Sequence, residues 1–353
     1  MRQLELSRRA LLAGTAAGGL VAALPGIAEA AAVGAPIDIH AHALPHFYVD
    51  ALRRAGLHRV SGLPTPKWSP RTAVAFMNRH GIGQQVLSVP DPAVSYLRTA
   101  SARVALAERL NDYLHQITAS RHSATRGRFR AFAVLPIAST SDANAALAEA
   151  RRSLGLGLDG VSLLSNYGDA YLGDPGFAPL LGGLNELKAV VFVHGNVAGT
   201  HPARAGHAVV LEGPFNTTRT IVQLSYLQAF TLYPNITWIF GDGGGVLPYL
   251  AYRTSLLELY PAIAQNLGLN NLDNANFDYG KQHFDTAWAS SPAALRSLTE
   301  VAGADSILFG SDWPLSAPSM PRRGFPQPTI ARIFSSGERR AIRGGNALRL
   351  LGT

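Results

Sequence analysis

The chain has 353 residues, 47% hydrophobic and 15% charged, which excludes intrinsic disorder and supplies enough apolar side chains for a sizeable core. It has no cysteine, so disulfides, thiolate zinc sites, iron–sulfur clusters and a cysteine nucleophile are excluded, and any metal must be held by nitrogen and oxygen. The formal charge is +8, but only three of the 31 basic residues are lysine and the arginines are scattered in pairs, without the basic stripe and stacking aromatics of a nucleic-acid partner.

Residues 1–32 divide into a charged head with Ser7-Arg8-Arg9, an Ala/Leu/Gly run from Ala10 to Ala23, and a small-residue tail around Ala28 to Ala32. This is signal-peptide anatomy. The paired arginines followed by Leu11-Leu12 resemble a twin-arginine export signal, so the expectation is a periplasmic or secreted protein. An uncleaved anchor is the competing reading. Glycines interrupt the apolar run, which is too short for a stable membrane span, and no second long apolar run follows.

From residue 33 onward one theme repeats: a short apolar run, a polar turn, and ten to twenty residues of helical character. The runs are Ile37 to Ile39, Val86 to Val89, Phe132 to Leu135, Val161 to Leu164, Val190 to Val193, Ile236 to Phe240, His283 to Thr286 and Ile307 to Phe309. Helices are predicted at Thr72 to His80, Ala102 to Ser120, Ala143 to Ser153, Phe177 to Leu187, Thr218 to Leu232, Leu247 to Leu259 and Ala293 to Val301. Strand and helix in alternation imply a parallel sheet, because each return crossing needs a helix. Eight such units over residues 33–353 predict a single (β/α)8 barrel, TIM-like, with a C-terminal helical tail. An open doubly wound sheet is the competing fold, but no GxGxxG follows the first run.

The informative polar residues stand where the runs end. His40 and His42 close the first run two residues apart, so in extended chain both imidazoles reach one side. The fifth run ends at His194 and the eighth delivers Asp312 through Gly310-Ser311. Taken singly, each has a bland explanation: a chance HxH, a satisfied core histidine, an Asx turn. Together they offer three neutral nitrogens and a carboxylate at the catalytic rim of a parallel barrel, a donor set suited to a catalytic divalent ion.

HxH after strand one, His after strand five and GSDWP after strand eight resemble the amidohydrolase superfamily. Within it, IDIHAHALPHFY from Ile37, PTPKWSP from Pro64, FMNRHGI from Phe76, LLSNYGDAYLGDP from Leu163, NTTRT from Asn216, GGGVLPYLAYR from Gly243 and GNALRLL from Gly345 resemble the 6-methylsalicylate and hydroxybenzoate decarboxylases. The resemblance implies one divalent metal, zinc with manganese as the alternative, on His40, His42, His194 and Asp312. It implies a small aromatic acid as substrate and Asp312 as a catalytic acid. Trp68, Asn166 and Tyr167 fall in matching segments near the substrate, and Asp285 at the end of strand seven is placed to orient a ligand. Subunit number, including a homo-oligomer, is left open.

One position departs from the pattern. Where the family has a histidine after strand six, this chain has Asp242, followed by three glycines. An anionic carboxylate cannot donate a hydrogen bond, and it adds negative charge where an anionic substrate must dock. Asp242 is therefore a catalytic acid–base of raised pKa, an added ligand, or the mark of lost activity. The functional expectation is a non-oxidative decarboxylase of an ortho-hydroxybenzoate. The alternatives are a metal-dependent hydrolase of an ester, lactone or amide, and an exported member without turnover.

Overall fold

The computed structural model describes residues 35–197, 208–260, 262 and 277–352, so the signal segment expected at residues 1–32 lies outside the described residues. Eight parallel strands follow in chain order around one sheet: β1 (Ile37–His42), β2 (Gln84–Ser88), β3 (Phe129–Val134), β4 (Gly160–Leu164), β5 (Val190–His194), β6 (Thr237–Phe240), β7 (His283–Asp285) and β8 (Ile307–Leu308). Backbone bonds from Ile39 N to Phe309 O (2.8 Å), Asp312 N to His40 O (2.7 Å) and His42 N to Trp313 O (2.8 Å) return the last strand to the first. This is the expected (β/α)8 architecture.

The helices outside the barrel have local causes. Helix α1 (His46–Arg54) follows β1 directly. Pro70 opens α2 (Pro70–His80), whose Ser69 cap takes the Thr72 N–H, and Gly81 ends it in the left-handed conformation. Thr99 caps α3 (Ala100–Thr118), and α4 (Ala143–Gly155) and α5 (Ala178–Glu186) follow. The helix predicted at Thr218 to Leu232 is instead two: α6 (Gly213–Tyr226), entered through Pro214, and a short α7 (Ala229–Leu232) beyond left-handed Gln228. Then come α8 (Leu247–Leu259) and α9 (Pro292–Ala302). The C-terminal tail forms α10 (Ile330–Ile333), α11 (Ser336–Arg340) and α12 (Asn346–Leu351).

Two apolar layers result. Ile37, Ile39, Val86, Phe132, Phe192, Ile239 and Leu308 fill the barrel interior, and Ala347 of α12 packs against them. A larger layer lies between sheet and helices, with Leu110, Leu114, Leu180, Leu184, Ile221 and Leu298 among its buried members. Burial of this kind contributes about 25 cal/mol per Å² of apolar surface and holds the eight strand ends in fixed register.

Candidate metal centre

The centre begins with a register irregularity in β1. Asp38 pairs with Gln85 and Ala41 with Leu87, so Ile39 and His40 together oppose the single residue Val86. This bulge lets Ile39 join the inner apolar layer while His40, the next residue, also faces inward against the Phe192 ring at 4.9 Å. His42 follows two residues on. The i, i+2 reading of the sequence holds for the two histidines, but the bulge is what turns the pair toward the barrel axis.

Both imidazoles are buried and oriented from behind. His40 Nδ1 stands 2.8 Å from Asp285 Oδ2, and His42 Nδ1 is 3.1 Å from Ser88 Oγ. Their Nε2 atoms stand 3.2 Å apart. Asp312 Oδ1 lies 2.8 Å from His42 Nε2 and 3.4 Å from His40 Nε2. One ligand atom from each of His40, His42, His194 and Asp312 lies within 4.8 Å of every other. The sequence-predicted set is therefore brought together at one point.

Several observations fit a bound cation. His194 Nδ1 is buried without a hydrogen-bond partner, a costly state for a polar atom that a metal resolves. The carboxylates of the site also favour positive charge among them. Burial works against protonating His40, but the carboxylates of Asp285, Asp312 and Asp242 raise its imidazole to about 10. Burial pushes the Asp312 carboxyl up, yet the hydrogen bond from His42 and the charges of His42, His40 and His194 hold it below its ordinary range. His194 is driven down by burial and by the charges of the two other histidines, which keeps it a neutral nitrogen donor. Such pairing of imidazole with a carboxylate behind it is the usual support of a histidine ligand.

Asp242 follows β6 with φ 56° and lines the cavity above the centre. Its backbone N–H donates to Asp285 Oδ1 (3.1 Å), while its own Oδ1 is a buried atom without a partner. Burial pushes its carboxyl up to about 8, with His40 opposing and the charges of Asp285 and Asp312 adding. Asp312 and Asp242 thus share one site but are driven to opposite protonation states. Asp242 also belongs to a second close group with His40 and Asp285.

Close approach explains the glycines. A Cβ on Gly310 would stand 2.8 Å from the His40 Cβ and 3.0 Å from that of Asp285, so only glycine lets the segment after β8 pass these two residues of the centre. On Gly245 it would meet the Pro214 carbonyl at 2.0 Å. The three glycines after Asp242 serve a tight turn into α8.

Above the centre opens a cavity of about 250 Å³, walled by Leu63, Val197, Val209, Val210, Pro214 and Leu315, with Ser61, Asp242, Trp288 and Asp312. No lysine or arginine is among its described lining residues. Trp68, Asn166 and Tyr167 do not line it. The buried Trp68 ring packs edge-on near Tyr113, Asn166 bonds to Ser165 Oγ and Gly168 O, and Tyr167 OH accepts the Leu164 N–H. Two residues escaped the sequence reading. Asp38, an acid within an apolar run, accepts from Ser311 N, Ser311 Oγ and Gln85 Nε2 and ties β1 to the segment after β8. Trp288 gave no signal, because its partner is 24 residues away.

Barrel, bulge and ligand quartet define a metal-dependent enzyme class, and comparison with known proteins gives it a family. The amidohydrolase family model matches residues 37–353, and the chain belongs to that family. It is 32% identical over 292 residues to the decarboxylase YanB of Aspergillus niger, covering 79% of this chain and 77% of that one. It is 31% identical over 296 residues to 6-methylsalicylic acid decarboxylase of Penicillium expansum, covering 79% and 85%. In fold it is similar to the 5-carboxyvanillate decarboxylase of Novosphingobium aromaticivorans, solved with manganese and a nitrobenzoic acid, with a TM-score of 0.74 at 18% identity over 90% of this chain and 96% of that one.

Proposed function

We propose that the protein is a metal-dependent, non-oxidative decarboxylase of a small aromatic acid of the ortho-hydroxybenzoate kind. The observation that carries this reading is the buried His40, His42, His194 and Asp312 quartet beneath an apolar, ring-sized cavity without a cationic side chain among its described lining. Among the described lining residues, an aromatic carboxylate entering there finds its counter-charge only at the centre. Two of the relatives named above are decarboxylases of 6-methylsalicylic acid and of 5-carboxyvanillate, in line with that chemistry.

A divalent ion held by the quartet supplies Lewis acidity and a fixed docking point for the phenol and carboxylate oxygens. Three imidazole nitrogens and one carboxylate suit zinc, and manganese is the alternative that the fold relative supports. The chain's own groups do the rest. His40 and His42 are fixed by Asp285 and Ser88, and Asp312 remains anionic as a ligand. Asp242, neutral below about pH 8, carries a proton at the cavity wall. That proton passes to the ring carbon bearing the carboxylate, the carbon–carbon bond breaks, carbon dioxide leaves and the ring regains aromaticity. Water then restores the Asp242 proton.

Export of the folded protein by its twin-arginine-type leader is part of the same proposal, since that route carries cofactor-loaded chains. Among the described residues no helix is long and apolar enough to cross a membrane. The deciding experiment supplies zinc- or manganese-reconstituted protein with hydroxybenzoates and aryl esters in parallel, following carbon dioxide and acid release. Carbon dioxide from the acids is expected. Acid from esters without carbon dioxide would mean hydrolysis, and silence with metal bound would mean a protein without turnover.

A further inference from the structure

Trp288 lies three residues past the last residue of β7. It is 54% exposed, with its ring on the cavity, and its backbone is left-handed at φ 52°. Bulky residues rarely adopt that conformation, which carries strain. The backbone places its indole N–H 2.6 Å from Asp312 Oδ2. The other oxygen, Oδ1, faces His42 Nε2 at 2.8 Å and His40 Nε2 at 3.4 Å. The two oxygens of Asp312 are therefore assigned different partners. An indole is a donor only, so it can fix a carboxylate oxygen without competing for a cation.

Resting on the metal-centre reading above, we infer that Trp288 is a positioning residue: its N–H occupies Asp312 Oδ2 so that Oδ1 alone is presented to the histidines, and its ring is the wall on which the substrate ring lies. Asp242, Trp288 and Asp312, which follow β6, β7 and β8, all have left-handed backbones, at φ 56°, 52° and 55°. Three successive strand ends thus turn non-glycine residues into the same cavity. The half-exposed indole contributes little to the core, so packing alone does not account for it. An aromatic face open to a cavity is stabilised when another ring covers it.

The test uses Trp288→Phe, which keeps a ring and loses the N–H, and Trp288→Leu, which loses both. Metal-depleted parent and variants are titrated calorimetrically with Mn2+, and kcat and KM are measured on reconstituted protein with whichever ortho-hydroxybenzoate the parent turns over. Trp288→Phe is expected to bind Mn2+ about 10–100-fold more weakly, with kcat lowered and KM nearly unchanged. Trp288→Leu is expected to match it in Mn2+ affinity and to raise KM as well. Melting temperatures of the metal-free proteins should agree, which separates positioning from folding. Parental Mn2+ affinity in Trp288→Phe overturns the positioning role, and an unchanged KM in Trp288→Leu overturns the ring-wall role. Should the parent release no carbon dioxide from any aromatic acid, the decarboxylase reading fails while the Mn2+ titration still decides the role of the N–H. A parent that takes up no Mn2+ overturns both.

Discussion

At the floor of the barrel Phe132 stacks on Phe192 at 5.6 Å among Ile37, Ile39, Val86 and Leu308, all of them buried, and helix α12 packs against this layer. At the mouth, a few ångströms along the same strands, stand three histidines, four buried or half-buried aspartates counting Asp38, three left-handed non-glycine residues and polar atoms without partners. The floor is apolar and satisfied, which serves stability. The mouth keeps charge, strain and unmet hydrogen-bonding capacity where a ligand can use them. Stability is given up locally for a site that reacts, and the barrel tolerates this because its floor and outer layer hold the strand ends.

Substitutions at the two ends should therefore separate activity from stability, and the largest effect on turnover belongs to Asp242. Asp242→Asn preserves size and hydrogen bonding but carries no transferable proton, so kcat should fall by about 10²–10⁴-fold with metal content unchanged, as read by carbon dioxide release and metal analysis. An Asp242→His variant that outperforms the parent would break the acid role and mark the aspartate as a loss. Asp285→Asn comes next. It replaces the carboxylate behind His40 Nδ1 with an amide, and Mn2+ affinity measured by calorimetry should weaken about 10–100-fold. At the floor, Phe132→Ala should destabilise the fold by about 3–5 kcal/mol in denaturant titration while the surviving folded enzyme keeps its turnover. A floor variant that lost activity at full folding would blur the division between the two ends.

The same division explains what could be read from the sequence. All eight strands lie within a few residues of their apolar runs, because an apolar run ending in a polar residue is a local pattern. His40, His42, His194 and Asp312 were legible because their position at strand ends follows from the barrel itself. The bulge that turns His40 inward was not, since it depends on the register between β1 and β2. Helix α1 carries no signal of length or periodicity, the expected C-terminal helical tail resolves into short helices without readable bounds, and the helix break at Gln228 has no glycine or proline to announce it. Segment likeness puts Trp68, Asn166 and Tyr167 near the substrate; none is among the cavity's described lining residues, and the Trp68 ring packs near Tyr113 while Asn166 and Tyr167 hydrogen-bond to the local backbone. Trp288 is the converse case: a tryptophan after a strand reads as ordinary core until Asp312 is seen beside its N–H.

The smallest effect on turnover, and the sharpest probe of stability surrendered at the mouth, concerns Asp91. Its carboxyl is buried in a loop after β2, with the Val197 N–H at 3.4 Å from Oδ2 and no partner for Oδ1. Burial pushes it up to about 7, the Val197 bond opposing. The unfolded chain ionises this group near its ordinary value of 3.8, so between that pH and about 7 the unfolded state releases a proton that the folded state keeps. Ionisation therefore opposes folding increasingly as pH rises through this window, and the penalty is fully present above about 7. Asp91→Asn removes the ionisation and keeps the shape. At pH 8 the variant should be more stable than the parent by on the order of 1–3 kcal/mol, the range for a buried polar group left unsatisfied. The difference should shrink toward zero near pH 4, with kcat unchanged throughout, because Asp91 is not among the cavity's described lining residues. Denaturant titrations at the two pH values check it: equal stabilities at pH 8 would mean that the loop hydrates Asp91, and a fall in kcat would bring this carboxyl from outside the cavity into its chemistry.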